Sequence, residues 1–124
     1  MDKALLFESA FENFETPLII GDLDYIILYM NDAADDYYCK FGGKKLIGSS
    51  IHAHITEEWL SQLNMCIEWF KESENNNKVF SSHKKEENHD VYVVALRDHD
   101  KKLIGFCIRH ICRTPESGKP YDID

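Results

Sequence analysis

The amino-acid sequence predicts an α+β domain: a five-stranded antiparallel sheet with its helices on one face and a further amphipathic helix at the N-terminus. Three observations lead there. The last third of the chain changes its apolar period from 3.6 to 2. Its consecutive strand-like segments are joined by short polar connections, which makes sequence neighbours antiparallel. A length of 124 residues, 44% of them hydrophobic, is enough for one core and leaves no room for a second.

Residues 3–14 set Ala4, Phe7, Phe11 and Phe14 at intervals of three and four, one apolar stripe on a helix, with Glu8 and Glu12 beside it. Pro17 ends that helix. Residues 18–20 read as a strand, 21–24 as a tight turn and 25–30 as a second strand, apolar on both alternating faces as in a strand covered on both sides. Asn31 is a strong helix N-cap, and Asp32 stands in the first turn, where the helix dipole favours a carboxylate. Ala34, Tyr37 or Tyr38, and Phe41 then recur at helical spacing until Gly42-Gly43 stops the helix. An irregular stretch, 49–55, precedes the clearest helix, 56–73. Thr56 caps it, Glu57 and Glu58 fill its first turn, and Ile55 can staple onto Leu60. Leu60, Leu63, Ile67 and Phe70 form its buried stripe, flanked by Trp59 and Cys66. Residues 74–77 follow as an exposed loop. Segments 78–86, 91–98 and 103–112 then read as an antiparallel meander, and the tail 114–124 is too poor in apolar residues to pack. The expected organisation is an N-terminal helix (1–16), one domain (17–113) and a loose tail (114–124).

The net charge of −8 is unevenly placed: residues 1–36 hold nine Asp and Glu against Lys3 alone, and the rest of the chain is neutral. With no clustered Lys and Arg, neither nucleic acid nor an anionic membrane is an expected partner. The longest apolar runs, 25–30 and 91–96, are far short of the roughly 20 residues of a membrane span. The start, Met1-Asp2-Lys3, lacks a basic leader segment, so a cytoplasmic protein is expected. Cys39, Cys66, Cys107 and Cys112 form no C-x-x-C pair and read as reduced, mostly buried small hydrophobes.

Three segments carry a family resemblance in order and spacing. Pro17-Leu18-Ile19-Ile20-Gly21-Asp22-Leu23-Asp24 leads into Tyr25-Ile26-Ile27-Leu28-Tyr29-Met30-Asn31-Asp32-Ala33-Ala34. Leu46-Ile47-Gly48-Ser49-Ser50-Ile51 precedes the central helix, and Asp98-His99-Asp100-Lys101-Lys102-Leu103-Ile104-Gly105-Phe106 closes the set. Together they resemble the first hairpin, the pre-helix segment and the last hairpin of the PAS sensor domain. The chain is also similar to short bacterial proteins made of little beyond one such domain. That resemblance implies a signal-sensing module in which a small ligand, where there is one, sits between sheet and helices. One departure matters: PAS domains often end in Asp-Ile-Thr, from which a signalling helix leaves, whereas His110-Ile111-Cys112 stands here. Output through a covalently attached module is therefore not expected.

Flavin and haem are the cofactors the resemblance raises, and the residues support neither. The flavin-photosensor variety needs an Asn-Cys-Arg motif where this chain has Ser49-Ser50-Ile51-His52-Ala53-His54. Haem needs an axial ligand, and the helix 56–73 contains no histidine; only His52 and His54 lie near its start. His52-x-His54 has the spacing of two metal ligands but no assignable third. His110 shares strand parity with Phe106 and Ile108 and reads as a satisfied buried histidine. No G-x-S-x-G, phosphate loop or H-E-x-x-H is present, and Asp35-Asp36 and Glu57-Glu58 are neighbours that diverge on a helix, so no catalysis and no catalytic residue is expected. The expected ligand-site lining, chosen by helix stripe and strand parity, is Tyr38, Phe41, Ile51, Leu63, Val94 and Phe106. Ala4, Phe7, Phe11 and Phe14 are the expected homodimer interface, because so much apolar surface on so short a helix must be buried against something. The output would then be association with a second copy or a signalling protein. The alternatives are a purely structural dimerisation module with a filled core and, behind it, a haem-binding sensor.

Overall fold

In the computed structural model, which describes residues 1–121, the chain runs helix α1 (Lys3–Glu12), strands β1 (Leu18–Asp22) and β2 (Ile27–Met30), helix α2 (Asp32–Tyr37), helix α3 (Glu57–Glu72) and strands β3 (Lys78–Lys84), β4 (His89–Arg97) and β5 (Leu103–Cys112). Single turns of tight helix at Cys39–Phe41, Gly43–Leu46 and Ile51–Ala53 link α2 to α3. Among the described residues the five strands form one sheet in the order β2-β1-β5-β4-β3, and every neighbouring pair is antiparallel. The predicted α+β architecture is the observed one. Residues 114–121 are exposed and outside any helix or strand, and the remainder of the predicted tail lies outside the described residues.

The core lies between the inner face of the sheet and the α2–α3 side. Ile19, Ile27, Val91, Val93, Phe106 and Ile108 meet Ala34, Leu46, Ile51, Leu63, Ile67 and Phe70. α3 delivers its stripe as predicted, and Thr56 caps it, its Oγ1 accepting from the Trp59 N–H at 3.1 Å. Its far end is closed from across the sheet. Arg97 donates through one terminal nitrogen to the carbonyls of Phe70 (2.7 Å), Ser73 (3.1 Å) and Asn76 (3.1 Å), and through Nε to Asn77 Oδ1 (2.7 Å). The segment 74–77 is therefore tied down by its own chain.

Both hairpins that bring β5 and β2 into the sheet use one device. Asp22 Oδ1 accepts from the N–H groups of Asp24 and Ile26, and Asp98 Oδ1 accepts from those of Asp100 and Lys102, all between 2.9 and 3.0 Å. The residue three positions on takes a left-handed conformation in each, Tyr25 at φ 64° and Lys101 at φ 65°. This is why β2 begins at Ile27 and not at Tyr25 as predicted. Where the hairpins meet, Gly21 and Gly105 are forced: a Cβ on Gly105 would stand 2.5 Å from the Gly21 carbonyl, and one on Gly21 would stand 2.7 Å from the Phe106 ring.

One predicted helix is corrected. The segment predicted as one helix from Asn31 to Phe41 is α2, six residues long, followed by two tight turns. The break is set by Asp35, whose Oδ1 accepts from the Lys44 N–H at 2.7 Å and leaves no space for a side chain on Gly43 at φ 56°. α1 buries none of its residues. Ala4 and Phe7 stand in solvent, Phe7 at 58% exposure, and only the C-terminal end of the stripe packs on the outer face of the sheet, Phe11 against Tyr29 and Phe14 under Arg109. Glu12 fixes that end. Its carboxylate accepts from the Tyr29 hydroxyl (2.5 Å), the Asp32 N–H (3.1 Å) and Lys44 Nζ (3.3 Å), while Lys44 also pairs with Asp32. Two of the four cysteines, Cys39 and Cys112, are exposed, where mostly buried ones were expected.

Candidate ligand cavity

Between the sheet and the α2–α3 connection the packing leaves a cavity of about 540 Å³, within the roughly 300–1,000 Å³ typical of small-molecule sites. Its floor is the inner face of the sheet: Ile19 and Ile27, Ile108 and His110, Val91, and Ser82 and Lys84 from the adjoining end of β3. Its roof is Tyr37 and Tyr38 from the end of α2, Phe41 and Leu46 from the turns, Ile51 to Thr56 in part, and Trp59 from the first turn of α3. The chain folds this way because the two tight turns after α2 draw its tyrosines down over the sheet without filling the space beneath them.

Most of the polar groups in this apolar enclosure gather at one end. His110 is almost fully buried, with its Nε2 3.4 Å from the Tyr38 hydroxyl and its Nδ1 3.3 Å from Nδ1 of His89, a diagonal neighbour across β4 and β5. The Tyr37 ring closes on its edge at 4.8 Å. Burial pushes the imidazole pKa down to about 4, with His89 and Lys84 adding to the effect, so the ring is neutral at pH 7. A neutral imidazole carries one N–H, so it donates to one of its two neighbours and accepts from the other. Burial likewise holds the Tyr38 phenol well above its usual range. At the other end His54 Nε2 lies 3.0 Å from Ser49 Oγ.

The six expected lining residues divide evenly. Tyr38, Phe41 and Ile51 stand together on the roof, Phe41 at the rim with 62% exposure. Leu63 and Phe106 do not reach the cavity. Leu63 is locked in the α3–sheet core, and Phe106 lies further along β5, packed edge-on against Tyr25 at 5.7 Å. Val94 is on the opposite face: in β4 it is Val91 and Val93 that point inward, and Val94 pairs with Cys107 on the outside. Sequence reading missed Tyr37, Ser82, Lys84 and Val91, and treated His110 only as a satisfied core group. Parity along β5 from Ile108 to His110, and along β3 from Ser82 to Lys84, was the signal available for them.

Among the histidines lining the cavity, His54 Nε2 faces Ser49 and both ring nitrogens of His110 face protein partners, which leaves Nδ1 of His54 as the one candidate haem ligand there. His52 packs edge-on against Tyr25 at 5.0 Å and is not among the residues lining the cavity. Among the described residues no three His, Cys, Asp or Glu side chains come together as a metal site. No helix among them is long and apolar enough to cross a membrane.

An antiparallel sheet enclosing a cavity beneath a short helix and tight turns defines a class of small α+β domain. The PAS fold family model matches residues 5–113, and the chain belongs to that family, whose members are generally sensory modules in signalling. Solved structures agree in fold. The C-terminal domain of a Streptococcus mutans protein is similar at a TM-score of 0.68 and 17% identity, covering 86% of this chain and 82% of that one. A PAS domain from Colwellia psychrerythraea is similar at 0.65 and 14%, covering 90% and 97%. The PAS domain of the fruit-fly ELK potassium channel is similar at 0.60 and 14%, covering 93% and 100%. A comparison with curated protein sequences returned no match.

Proposed function

We propose that this PAS domain is a non-catalytic sensor whose signal is a small molecule held in the cavity between Tyr38, Trp59 and the inner face of the sheet. The observation carrying this reading is the cavity itself: about 540 Å³ of apolar space with a hydrogen-bonding cluster at one end. A core built only for stability would close such a volume, because unfilled space costs packing energy. A ligand that binds only the folded chain stabilises it by mass action. Thermal unfolding across a broad panel of cellular metabolites is the test: a concentration-dependent rise in melting temperature is expected, and no rise with any compound sinks the sensory reading.

A second observation favours association with a second copy as the output. α1 leaves Leu5, Leu6 and Phe7 at 62, 53 and 58% exposure, and the outer face of the sheet carries a further exposed packed pair, Phe80–Tyr92, with Phe80 at 54%. A ten-residue helix is marginal by itself and draws its stability from a covered apolar face. A homodimer burying these residues supplies the cover; light scattering at micromolar concentration that gives the monomer mass refutes it. The purely structural alternative shares this dimer but needs a filled core, which the cavity argues against.

A further inference from the structure

We propose that the cavity takes a small carboxylic acid with an aromatic or aliphatic body, its carboxylate held at the Lys84 end and its body lying against Trp59, Phe41 and Ile51. The assignment rests on the sensory reading above and adds the chemical class of the signal.

Charge distribution points to an anion. The chain carries a net −8, yet no Asp or Glu lines the cavity, and the single permanently charged lining group is Lys84. Lys84 is exposed at the cavity's edge and, like most lysines among the described residues, makes no ion pair, so its ammonium is available to a ligand. Geometry gathers the rest of the head site. Lys84 and Ser82 face the cavity from one strand; Ser82 stands opposite Val91, and Val91 stands opposite His110, so a lysine, a hydroxyl and an imidazole converge on the same end with the Tyr38 hydroxyl above them. A carboxylate there gains a charge-assisted contact from Lys84 and neutral donors from Ser82 and Tyr38. The remaining charges nearby are Glu86 and Glu87 in the exposed turn that follows, close enough to bear on Tyr37 but not lining the cavity. The wall away from this end is mainly hydrocarbon and indole, with His54 and Thr56 its polar members and no charged carboxylate or lysine among them, and it accepts a flat or extended apolar body.

The test compares acids with their uncharged isosteres on the intact chain at pH 7.5: indole-3-acetate, phenylacetate and octanoate against the corresponding amides, followed by thermal unfolding and titration calorimetry. At least one acid is expected to raise the melting temperature while its amide does not. Lys84→Gln is expected to weaken that acid about tenfold, about 1.4 kcal/mol, while Lys102→Gln, which removes an equal charge at the far hairpin, leaves it unchanged. Amides that bind as tightly as acids, or an acid affinity indifferent to Lys84→Gln, overturn the carboxylate assignment and leave the sensory reading standing. Failure of both series and of the broad metabolite panel overturns both.

Discussion

Asn31 shows how much one side chain can hold. Its Oδ1 accepts from the Leu18 N–H (3.0 Å) and the Ala34 N–H (2.9 Å), and its Nδ2 donates to the carbonyls of Phe11 (3.0 Å) and Thr16 (3.1 Å), all with the residue fully buried. The N-cap role was legible in the sequence. The other three bonds were not, since they join residues 13 to 20 positions apart. Asn31→Ala strands four partners and is expected to cost about 3 kcal/mol in urea unfolding. Asn31→Asp is expected to be no milder, because a carboxylate cannot donate to the two carbonyls. His110 gives a pH signature. Its pKa falls from the ordinary 6.5 to about 4 on folding, so between those values the unfolded chain binds a proton that the folded chain refuses. Stability therefore declines as pH drops from 6.5 towards 4, on the order of 2 kcal/mol from this group, and the contribution is constant above 6.5. The difference in stability between wild type and His110→Gln, measured at pH 7 and at pH 4.5, isolates it; equal differences at both would refute the buried neutral ring.

At the level of elements, the strands were legible because period 2 survives in β3, β4 and β5, and β5 has the bounds the sequence predicts. What escaped were places where one residue breaks the period. Leu103 and Phe106 both point into the core although they differ by an odd number; in the β4–β5 pairing Leu96 stands opposite Gly105 and Arg97 opposite Leu103, leaving Ile104 out of register and 51% exposed. Such a bulge leaves no mark on a hydrophobic pattern. α3 was read correctly at both ends, with Thr56 and Ser73 as its caps; what the sequence did not show is that Arg97 from β4 holds its last carbonyls. Arg97→Ala is expected to lower stability by about 2 kcal/mol in thermal unfolding, and Arg97→Lys to recover less than half, because a single ammonium cannot span the same fork of acceptors. Lys101→Gly relieves a left-handed residue and is expected to stabilise by about 0.5 kcal/mol, whereas the equivalent change at Tyr25 also removes its hydroxyl's bond to Asn64 and is expected to destabilise.

For the molecule as a whole, the family and fold were legible from three segments in order, while the cavity was not, because empty volume is a remainder of packing and no residue encodes it alone. Association is tested by removing residues 1–12: the expected outcome is a change from dimer to monomer in sedimentation, with a loss of stability from the uncovered outer face, and a truncated chain that is still dimeric would move the interface elsewhere. Glu12 gives that arrangement a mechanical side. α1 is a lever standing off the domain, and the Glu12 carboxylate is its ionic pin, joined to Tyr29 on the sheet and to Asp32 and Lys44 in the helix and turn that carry the cavity's roof. Any body that pushes the roof outward loads the pin, and the load is carried by contacts that added salt softens. Amide exchange along α1 is accordingly expected to quicken in Glu12→Gln and at high ionic strength, with the strands of the sheet keeping their pace: a small domain whose outermost helix feels what happens in its interior through the charge on one side chain.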